Sequence, residues 1–268
     1  CSGLGSAELV FDEGLYAFRS KDYLDYLESA LQPTPVQWLA EQVLPWWTKL
    51  SFHDHPPLFF LSQKVFFSLF GDSLLIARLP SALGGIVSMI LIFAIAKKFS
   101  GSDLSGFGAA VLWAVMFAPV LVSRLSMMEG LLFPLILLNI YLFLLFSERP
   151  GKWIWFGVSL GLAFLTKYTS VFLVPVYLAY LISTRSPLLK NRRLYGAFLL
   201  ALAVFLPVIA YNFNFYRAFG HFDLQFSYLF GQEVPEWQGV SGKTQEPFSA
   251  LGENFFILFS KKILLVAF

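Results

Sequence analysis

Long stretches without a charged residue constrain this chain more than any other feature of its sequence. Four of them run for 18 to 23 residues, at positions 79–96, 104–123, 130–147 and 194–216. About 20 apolar helical residues are needed to cross the roughly 30 Å hydrocarbon core of a bilayer. Each stretch therefore predicts a membrane-spanning helix.

The composition agrees with a membrane protein and excludes several other classes. Hydrophobic residues make up 57% of the chain and charged residues 13%, about half the charged share of a soluble domain. With 19 basic and 17 acidic residues there is no general cationic field for nucleic acid, and the single cysteine, Cys1, excludes an internal disulfide framework. We predict an all-α, multispanning transmembrane protein that does not bind nucleic acid.

Residues 152–185 are too long for one span, since a single helix would be roughly 48 Å long. Lys167 divides them into two apolar runs of 14 and 17 residues, which predicts a hairpin with Lys167 at its tip. Only the hairpin puts the basic clusters on one side of the membrane, and the positive-inside rule makes that side cytoplasmic. These clusters are Lys97, Lys98, Arg149, Lys152, Arg185, Lys190, Arg192 and Arg193.

The same topology divides the chain into four parts. Residues 1–56 form a first outer segment, 57–214 a membrane domain of about six spans with an interfacial helix at its start, 215–254 a second outer segment, and 255–268 the start of a further span. Of the 17 acidic residues, 15 fall on the outer side or at its boundary, so we expect function there. Because the chain begins at Cys1 and ends inside an apolar run, we expect it to be an internal piece of a larger protein.

The first outer segment contains the sequence FDEGLYAFR, in which two acidic residues follow an apolar stretch. On a helix, Asp12, Tyr16 and Arg19 share one face. Asp12 and Glu13 have two interpretations: a cap at a helix start, or a general base at the edge of the membrane, where partial desolvation raises basicity.

The segment HDHPPL holds His53, Asp54 and His55 in an extended approach to a helix, because the double proline forbids a helix at His55. A metal site would need His221 and a carboxylate in addition. We favour a contact to phosphate or sugar and expect no metal and no cofactor.

Two cationic positions lie near the outer side. Arg124 and Glu129, in SRLSMMEG, are compatible with an interfacial ion pair. Lys167 lies between two apolar helices, where an ionisable side chain either reaches the interface or serves a function. In an outer cavity its ammonium would suit a lipid phosphate.

The start of the second outer segment mixes aromatic rings with polar side chains. Asn212, His221, Asp223 and Gln225 lie among phenylalanines and tyrosines. Such a mixture suits carbohydrate faces and hydroxyls, although an interfacial helix has a similar composition.

Taken in order, four segments resemble the protein O-mannosyltransferase superfamily of membrane glycosyltransferases, glycosyltransferase family 39, and its relatives that transfer aminoarabinose to lipid A. The segments are DEGLY, DHPPLFF with FGDSLLIARLPSALGG, GLAFLTKYTSVFLVP, and YNFNF with FGHFDLQF. Two positions depart from the family pattern: Glu129 stands for the usual Asp, and Tyr211 for the usual Trp before Asn212.

The resemblance implies a GT-C helical bundle that moves a sugar from a polyprenyl-phosphate carrier to an acceptor at the outer face, with inversion. It implies Asp12 as the base that deprotonates the acceptor hydroxyl, and Glu13 as its motif partner. Positive charge near the carrier phosphate would come from His55, Lys167 and Arg124. The remaining cavity residues would be Tyr16, Glu129, Tyr168, Asn212, His221 and Gln225.

The expected partners are a polyprenyl-phosphate-linked sugar, membrane lipids and a lipid, glycan or protein acceptor. The resemblance favours a bacterial inner membrane, with the active site facing the periplasm. A multispanning transporter is the main alternative, because transporters also place ionisable residues within spans.

Overall fold

The computed structural model describes residues 4–5, 12–21 and 55–232, without the side chains of residues 218, 219, 224 and 228. Within these ranges every regular element is helical, as predicted. The α-helices are α1 (Glu13–Ser20), α2 (Leu58–Phe70), α3 (Leu74–Ser100), α4 (Asp103–Val115), α5 (Phe117–Arg124), α6 (Met128–Glu148), α7 (Trp153–Thr166), α8 (Leu173–Ser183), α9 (Arg192–Phe219) and α10 (Leu224–Leu229).

Local sequence signals fix the ends of the long helices. The Ser73 hydroxyl accepts a hydrogen bond from the Ile76 amide at 3.3 Å before α3, and Asn191 accepts one from the Arg193 amide at 3.0 Å before α9. Both helices end at a glycine in the left-handed region, Gly101 with φ 68° and Gly220 with φ 77°. Polar N-caps and left-handed glycines are the usual limits of a helix.

Three described helices are long and apolar enough to cross a membrane, namely α3, α6 and the Arg192–Arg217 part of α9. The span predicted at residues 104–123 is present but broken, because α4 and α5 meet at an angle of 63°. Pro119 favours the break, because it has no amide to donate to the carbonyl of Val115 and its ring clashes with that carbonyl in a continuous helix. Proline alone does not enforce a break, since Pro80, Pro134 and Pro207 lie inside continuous helices. If the bent pair is one span, the number of candidates is four.

A helical break occurs at Lys167, where the charge pattern predicts the tip of a hairpin. Lys167 has extended backbone angles between α7 and the 3₁₀ segment Tyr168–Phe172, which leads into α8. The chain then returns, since Tyr177 on α8 stacks on Phe143 of α6 with ring centroids 4.3 Å apart. With 14 residues, α7 is roughly 21 Å long, so the predicted total of about six spans stays a prediction.

Small residues let two helix pairs approach closely. A Cβ added at Gly157 of α7 would lie 2.5 Å from the Ala197 carbonyl oxygen of α9, and one at Gly161 would lie 2.8 Å from that of Ala201. This is the small-xxx-small packing typical of membrane helices. Between α3 and α6, an added Cβ at Gly130 would lie 2.8 Å from the Cα of Ser81. Side chains larger than glycine would force both pairs apart.

The bundle has two ends, which we name after a lysine at each. The Lys167 end holds α1, α2, α10 and the start of α6, and its core residues are Tyr16, Phe59, Phe60, Met128, Val208, Tyr211 and Phe215. The Lys98 end holds the end of α3 and the start of α9, and the buried cluster that begins there includes Phe143, Phe146, Phe156, Leu160, Tyr177 and Leu194.

Several features predicted from the sequence lie outside the described residues. These are His53, Asp54, residues 233–254 and the further span at 255–268. Of the predicted interfacial segment, α2 is described, and its 13 residues are too few to cross a bilayer.

Candidate active site

Most predicted site residues lie at the Lys167 end. Tyr16 from α1 and Tyr211 from α9 belong to its core, and Tyr168 from the 3₁₀ segment packs against that core. His55 contacts Tyr16 edge to face, with ring centroids 5.7 Å apart. Four segments far apart in sequence are therefore brought together at this end of the bundle.

Asp12 occupies the N-cap position of α1, and its side chain is exposed. Among the described residues, its carboxylate makes no capping hydrogen bond to the first turn. The Tyr16 hydroxyl donates to Asp12 Oδ2 across 3.4 Å, a long hydrogen bond. The carboxylate is thus left at the surface, where a substrate can reach it.

Glu13, the next residue, is completely buried. Arg78 donates two hydrogen bonds to the Glu13 carboxylate, from Nε to Oε1 at 2.8 Å and from Nη2 to Oε2 at 2.7 Å. The Ser126 amide also donates to Oε1, at 2.6 Å. Adjacent acidic residues therefore have opposite environments: the Asp12 carboxylate is exposed, and both oxygens of Glu13 accept hydrogen bonds from the protein.

Arg78 extends this network along the start of α3. Besides binding Glu13, it donates from Nη1 to the Leu4 carbonyl oxygen at 2.9 Å, and it is only 3% exposed. A bidentate pair of this kind is geometrically specific, and a buried charge is tolerated only when paired. The network fixes α1, with Asp12 at its start, against α3.

A buried amide lies beside this network. Gln63 of α2 donates from Nε2 to the Ala77 carbonyl oxygen at 2.9 Å and to the Ser126 hydroxyl, and it accepts from the Ser20 hydroxyl at 2.6 Å. All three polar side chains are at most 1% exposed. α1, α2, α3 and the turn before α6 are therefore hydrogen-bonded through one side chain.

Lys167 forms an ion pair with Glu129, which lies in the first turn of α6. Their side chains are 29% and 26% exposed, so the pair is neither buried nor fully solvated. The sequence suggests Arg124 as one interfacial partner for Glu129; the structure pairs Glu129 with Lys167. The ammonium is held at the tip of the hairpin and remains accessible.

The last turns of α9 and the residues that follow close one side of this end. Asn212 is buried, and its Oδ1 accepts from the Asp223 amide at 3.4 Å. The ring of His221 packs on Phe215, with centroids 5.6 Å apart. Gln225 is half-buried on α10, and Tyr168 contacts Phe226 of the same helix at 5.5 Å between centroids. Asn212 thus holds the turn between α9 and α10. His221, Gln225 and Tyr168 lie around this turn.

Arg124 is the last residue of α5. It is exposed and borders a groove of about 250 Å³ between α3 and the bent α4–α5 pair. Gly85, Trp113 and Pro119 also line this groove. Over the described ranges, no group of three or more His, Cys, Asp or Glu residues could hold a metal ion.

Three residues of this end were not identified as site residues from the sequence: Arg78, Gln63 and Ser126. Arg78 served only to mark the limit of a span, although an ionisable residue within an apolar run is itself a functional signal. Gln63 and Ser126 have no such signal, because single polar residues in amphipathic segments are common.

Comparisons with known proteins agree with the helical fold. The profile of a family described as dolichyl-phosphate-mannose-protein mannosyltransferase matches residues 54–211. A Bacillus subtilis (strain 168) protein named "Putative mannosyltransferase YycA" is 31% identical over 156 residues, which are 56% of this chain and 22% of that protein.

Two solved folds are also similar. ArnT from Cupriavidus metallidurans, solved in the apo state and bound to undecaprenyl phosphate, matches with a TM-score of 0.59 and 22% identity over 77% of this chain and 38% of its own. The Saccharomyces cerevisiae protein O-mannosyltransferase Pmt1–Pmt2 complex bound to the sugar donor matches with a TM-score of 0.52 and 19% identity, over 89% of this chain and 34% of its own.

The chain spans about a fifth of the length of the curated relative and over a third of each solved chain. The family profile covers more than half of this chain, including the double proline, the segment FGDSLLIARLPSALGG and the Lys167 hairpin. The chain is a GT-C-type helical membrane protein and belongs to the dolichyl-phosphate-mannose-protein mannosyltransferase family.

Proposed function

We propose that this chain carries the reaction centre of a membrane glycosyltransferase that takes a sugar from a polyprenyl-phosphate carrier. One observation carries the proposal: an exposed carboxylate, Asp12, and an accessible ammonium, Lys167, lie at the same end of the bundle and are held by connected elements. Undecaprenyl phosphate bound to ArnT and the sugar donor bound to Pmt1–Pmt2 support the choice of a lipid-linked donor.

The reaction needs a base and a stabilised leaving group. Asp12 accepts the proton of the acceptor hydroxyl, whose oxygen then bonds to the anomeric carbon of the sugar. The bond from that carbon to the phosphate oxygen breaks, and the polyprenyl phosphate leaves with the bonding electron pair. Attack from the face opposite the leaving group inverts the anomeric configuration.

Lys167 stabilises the negative charge that develops on the phosphate. A preorganised cation in a partly desolvated site is effective in this role, because little reorganisation is needed as the charge develops. His55 and Arg124 supply further contacts to the phosphate. Glu129 holds the Lys167 ammonium in place, so that it does not extend freely into the interface.

Glu13 takes part as the residue that positions Asp12. Its two oxygens already accept three hydrogen bonds, two from Arg78 and one from Ser126, which makes it a poor proton acceptor. Tyr16 orients the Asp12 carboxylate through its hydroxyl. His221, Gln225 and Tyr168 border the space for the sugar and acceptor, and Asn212 supports the turn that carries them.

The proposed orientation follows from charge. Among the described residues, seven exposed basic residues lie at the Lys98 end and three, Lys21, Arg124 and Arg217, at the Lys167 end. The positive-inside rule therefore places the Lys98 end in the cytoplasm. The Lys167 end then faces outward, to the periplasm if the protein belongs to a bacterial inner membrane. The acceptor is a hydroxyl of a lipid, a glycan or a protein.

The test uses the full-length protein in liposomes with a panel of radiolabelled polyprenyl-phosphate sugars. We expect the wild type to release sugar from one carrier and Asp12→Asn to lose release while still binding that carrier. Asp103→Asn is the matched control, because Asp103 is an exposed carboxylate at the Lys98 end, paired with Lys97 at 2.5 Å; we expect it to retain activity.

Equal release by wild type and Asp12→Asn would remove Asp12 from the mechanism. Failure of the wild type to bind any carrier would contradict the proposed glycosyltransferase function and favour a transporter. Loss of release in Asp103→Asn alone would place the reaction at the opposite end of the bundle.

A further inference from the structure

The turn between α5 and α6 is held from three sides. Glu13 accepts from the Ser126 amide at 2.6 Å, Gln63 donates to the Ser126 hydroxyl, and the Ser81 hydroxyl donates to the Met127 carbonyl oxygen at 3.2 Å. Two residues further along, Glu129 lies in the first turn of α6. The position of Glu129, and of the Lys167 ammonium paired with it, therefore depends on this turn.

Gln63 is the point at which the turn is connected to the acidic helix. Its amide oxygen accepts from Ser20 at the end of α1, and its amide nitrogen donates to Ser126 in the turn and to Ala77 in α3. Each polar atom of the side chain is engaged, and the residue is fully buried. A satisfied buried network favours one arrangement, since an alternative arrangement leaves a polar atom unpaired.

We propose that Gln63 is a positioning residue for sugar transfer: it fixes the Lys167–Glu129 pair relative to Asp12. This rests on the proposed function, in which Asp12 acts on the acceptor and Lys167 on the phosphate. The two groups belong to different elements, α1 and the α7–α8 hairpin, and both must be correctly placed in the transition state. Gln63 touches neither substrate; it acts through Ser20 and Ser126.

A second buried amide provides the matched control. Asn139 of α6 donates to the Phe156 carbonyl oxygen at 3.0 Å and to the Ser159 hydroxyl at 2.8 Å, and it accepts from the Tyr177 hydroxyl at 2.7 Å. It has the same set of partners as Gln63, namely a carbonyl, a serine and a hydroxyl, and it is also fully buried. It connects helices within the aromatic cluster rather than the segments with Asp12 and Lys167.

The experiment compares Gln63→Leu and Ser126→Ala with Asn139→Leu and Ser159→Ala in the full-length enzyme. Turnover is measured per folded molecule, together with donor KM and thermal unfolding. Ser126→Ala keeps the amide that Glu13 binds and removes only the hydroxyl, so it tests the proposal even if Gln63→Leu folds poorly.

We expect Gln63→Leu and Ser126→Ala to lower kcat by about tenfold or more, since small misplacements of reacting groups have large effects on rate, with donor KM little changed. The double variant should be no slower than Gln63→Leu alone, because the two changes remove the same hydrogen bond. Asn139→Leu and Ser159→Ala should lower the unfolding temperature and leave kcat per folded molecule unchanged. Equal kcat losses in both sets would overturn the proposal and make Gln63 a purely structural residue.

A distance measurement separates this proposal from the proposed function. Spin labels at Phe18→Cys on α1 and Phe172→Cys beside the hairpin tip, both exposed positions, are placed in a background in which Cys1 and any other cysteine of the full-length protein are replaced by serine. Gln63→Leu should broaden the distance distribution between them, and Asn139→Leu should not. A distribution that Gln63→Leu leaves unchanged would overturn the role of Gln63 even in an active enzyme. If the wild type is inactive but Gln63→Leu broadens its distribution, only the proposed function is removed.

Discussion

The two ends of the helical bundle use charged side chains in different ways. At the Lys167 end an ion pair, Glu13–Arg78, is almost completely buried, with side chains 0% and 4% exposed. At the Lys98 end the charged pairs are at the surface: Lys98 binds Glu148 at 2.7 Å, and the Glu148 side chain is 58% exposed. The cluster below those surface pairs is aromatic and aliphatic.

Burial of charge is costly, and its position in this fold is therefore informative. A buried ion pair is often no more stabilising than well-packed hydrophobic residues of the same volume. The aromatic cluster shows that the fold can be held without one. The buried ion pair at the Lys167 end is consistent with a need for fixed geometry there, which is what a reaction with a base and a cation on separate elements requires.

The largest effect on stability should come from breaking the buried pair. Arg78→Met leaves the Glu13 carboxylate buried without its main partner, so we expect the free energy of unfolding to fall by about 3–5 kcal/mol. Thermal or denaturant unfolding of the purified protein measures it. The double variant Arg78→Met/Glu13→Leu should recover part of the loss; a double variant as unstable as the sum of both single changes would contradict the coupling between the two residues.

The next largest effect should be on the rate of sugar release. Lys167→Met removes the ammonium that meets the leaving phosphate, and we expect kcat for sugar release to fall roughly 100- to 1,000-fold, the range seen when one preorganised charge-stabilising group is removed. Lys97→Met, at the opposite end, should be unchanged in the same assay. Equal activity of Lys167→Met and wild type would show that the leaving group is stabilised elsewhere.

Added methyl groups at the two close helix crossings should have different effects on activity at the two ends. Gly130→Ala and Gly157→Ala each force a backbone to move, because the new Cβ would meet Ser81 or Ala197. Overpacking of this kind costs about 1–3 kcal/mol. We expect both to lower the unfolding temperature, but only Gly130→Ala to lower kcat per folded molecule, since Gly130 is adjacent to Glu129. A similar kcat in both variants would argue against a precisely placed Glu129.

The smallest effect is predicted for the surface pair. Lys98→Met removes an interaction between partly solvated groups, which is typically worth less than about 1 kcal/mol. Both the unfolding temperature and sugar release should stay close to the wild-type values. A loss comparable to that of Arg78→Met would mean that the Lys98 end depends on charge as much as the Lys167 end does.

The sequence predicts much of the fold because the hydrocarbon core imposes a length on each apolar run. Three predicted spans correspond to α3, α6 and α9, and the break at Lys167 follows from charge placement. The bend between α4 and α5 was missed, since a count of uncharged residues does not register Pro119. Pro119 was a signal but not a sufficient one, because Pro80, Pro134 and Pro207 lie inside helices that continue.

The candidate site was predicted in part. The resemblance of the DEGLY segment implies Asp12 as the base and Glu13 as its motif partner, but only the fold shows that the first carboxylate is exposed and the second buried. The partner of Glu13 is 65 residues away, and the serine that it binds is 113 residues away. Such long-range contacts depend on how α1, α3 and the α5–α6 turn pack, and no local spacing encodes them.

The most direct test of the account is where the donor phosphate binds. A polyprenyl-phosphate sugar with a photoreactive group beside the phosphate is bound to the full-length protein in liposomes, irradiated, and mapped by peptide mass spectrometry. The account predicts labelling at the Lys167 end, in residues 12–21, 55–60, 124–129 or 167–172, and a loss of labelling with excess unlabelled donor. Specific labelling at the Lys98 end, in residues 97–103 or 185–193, would contradict it.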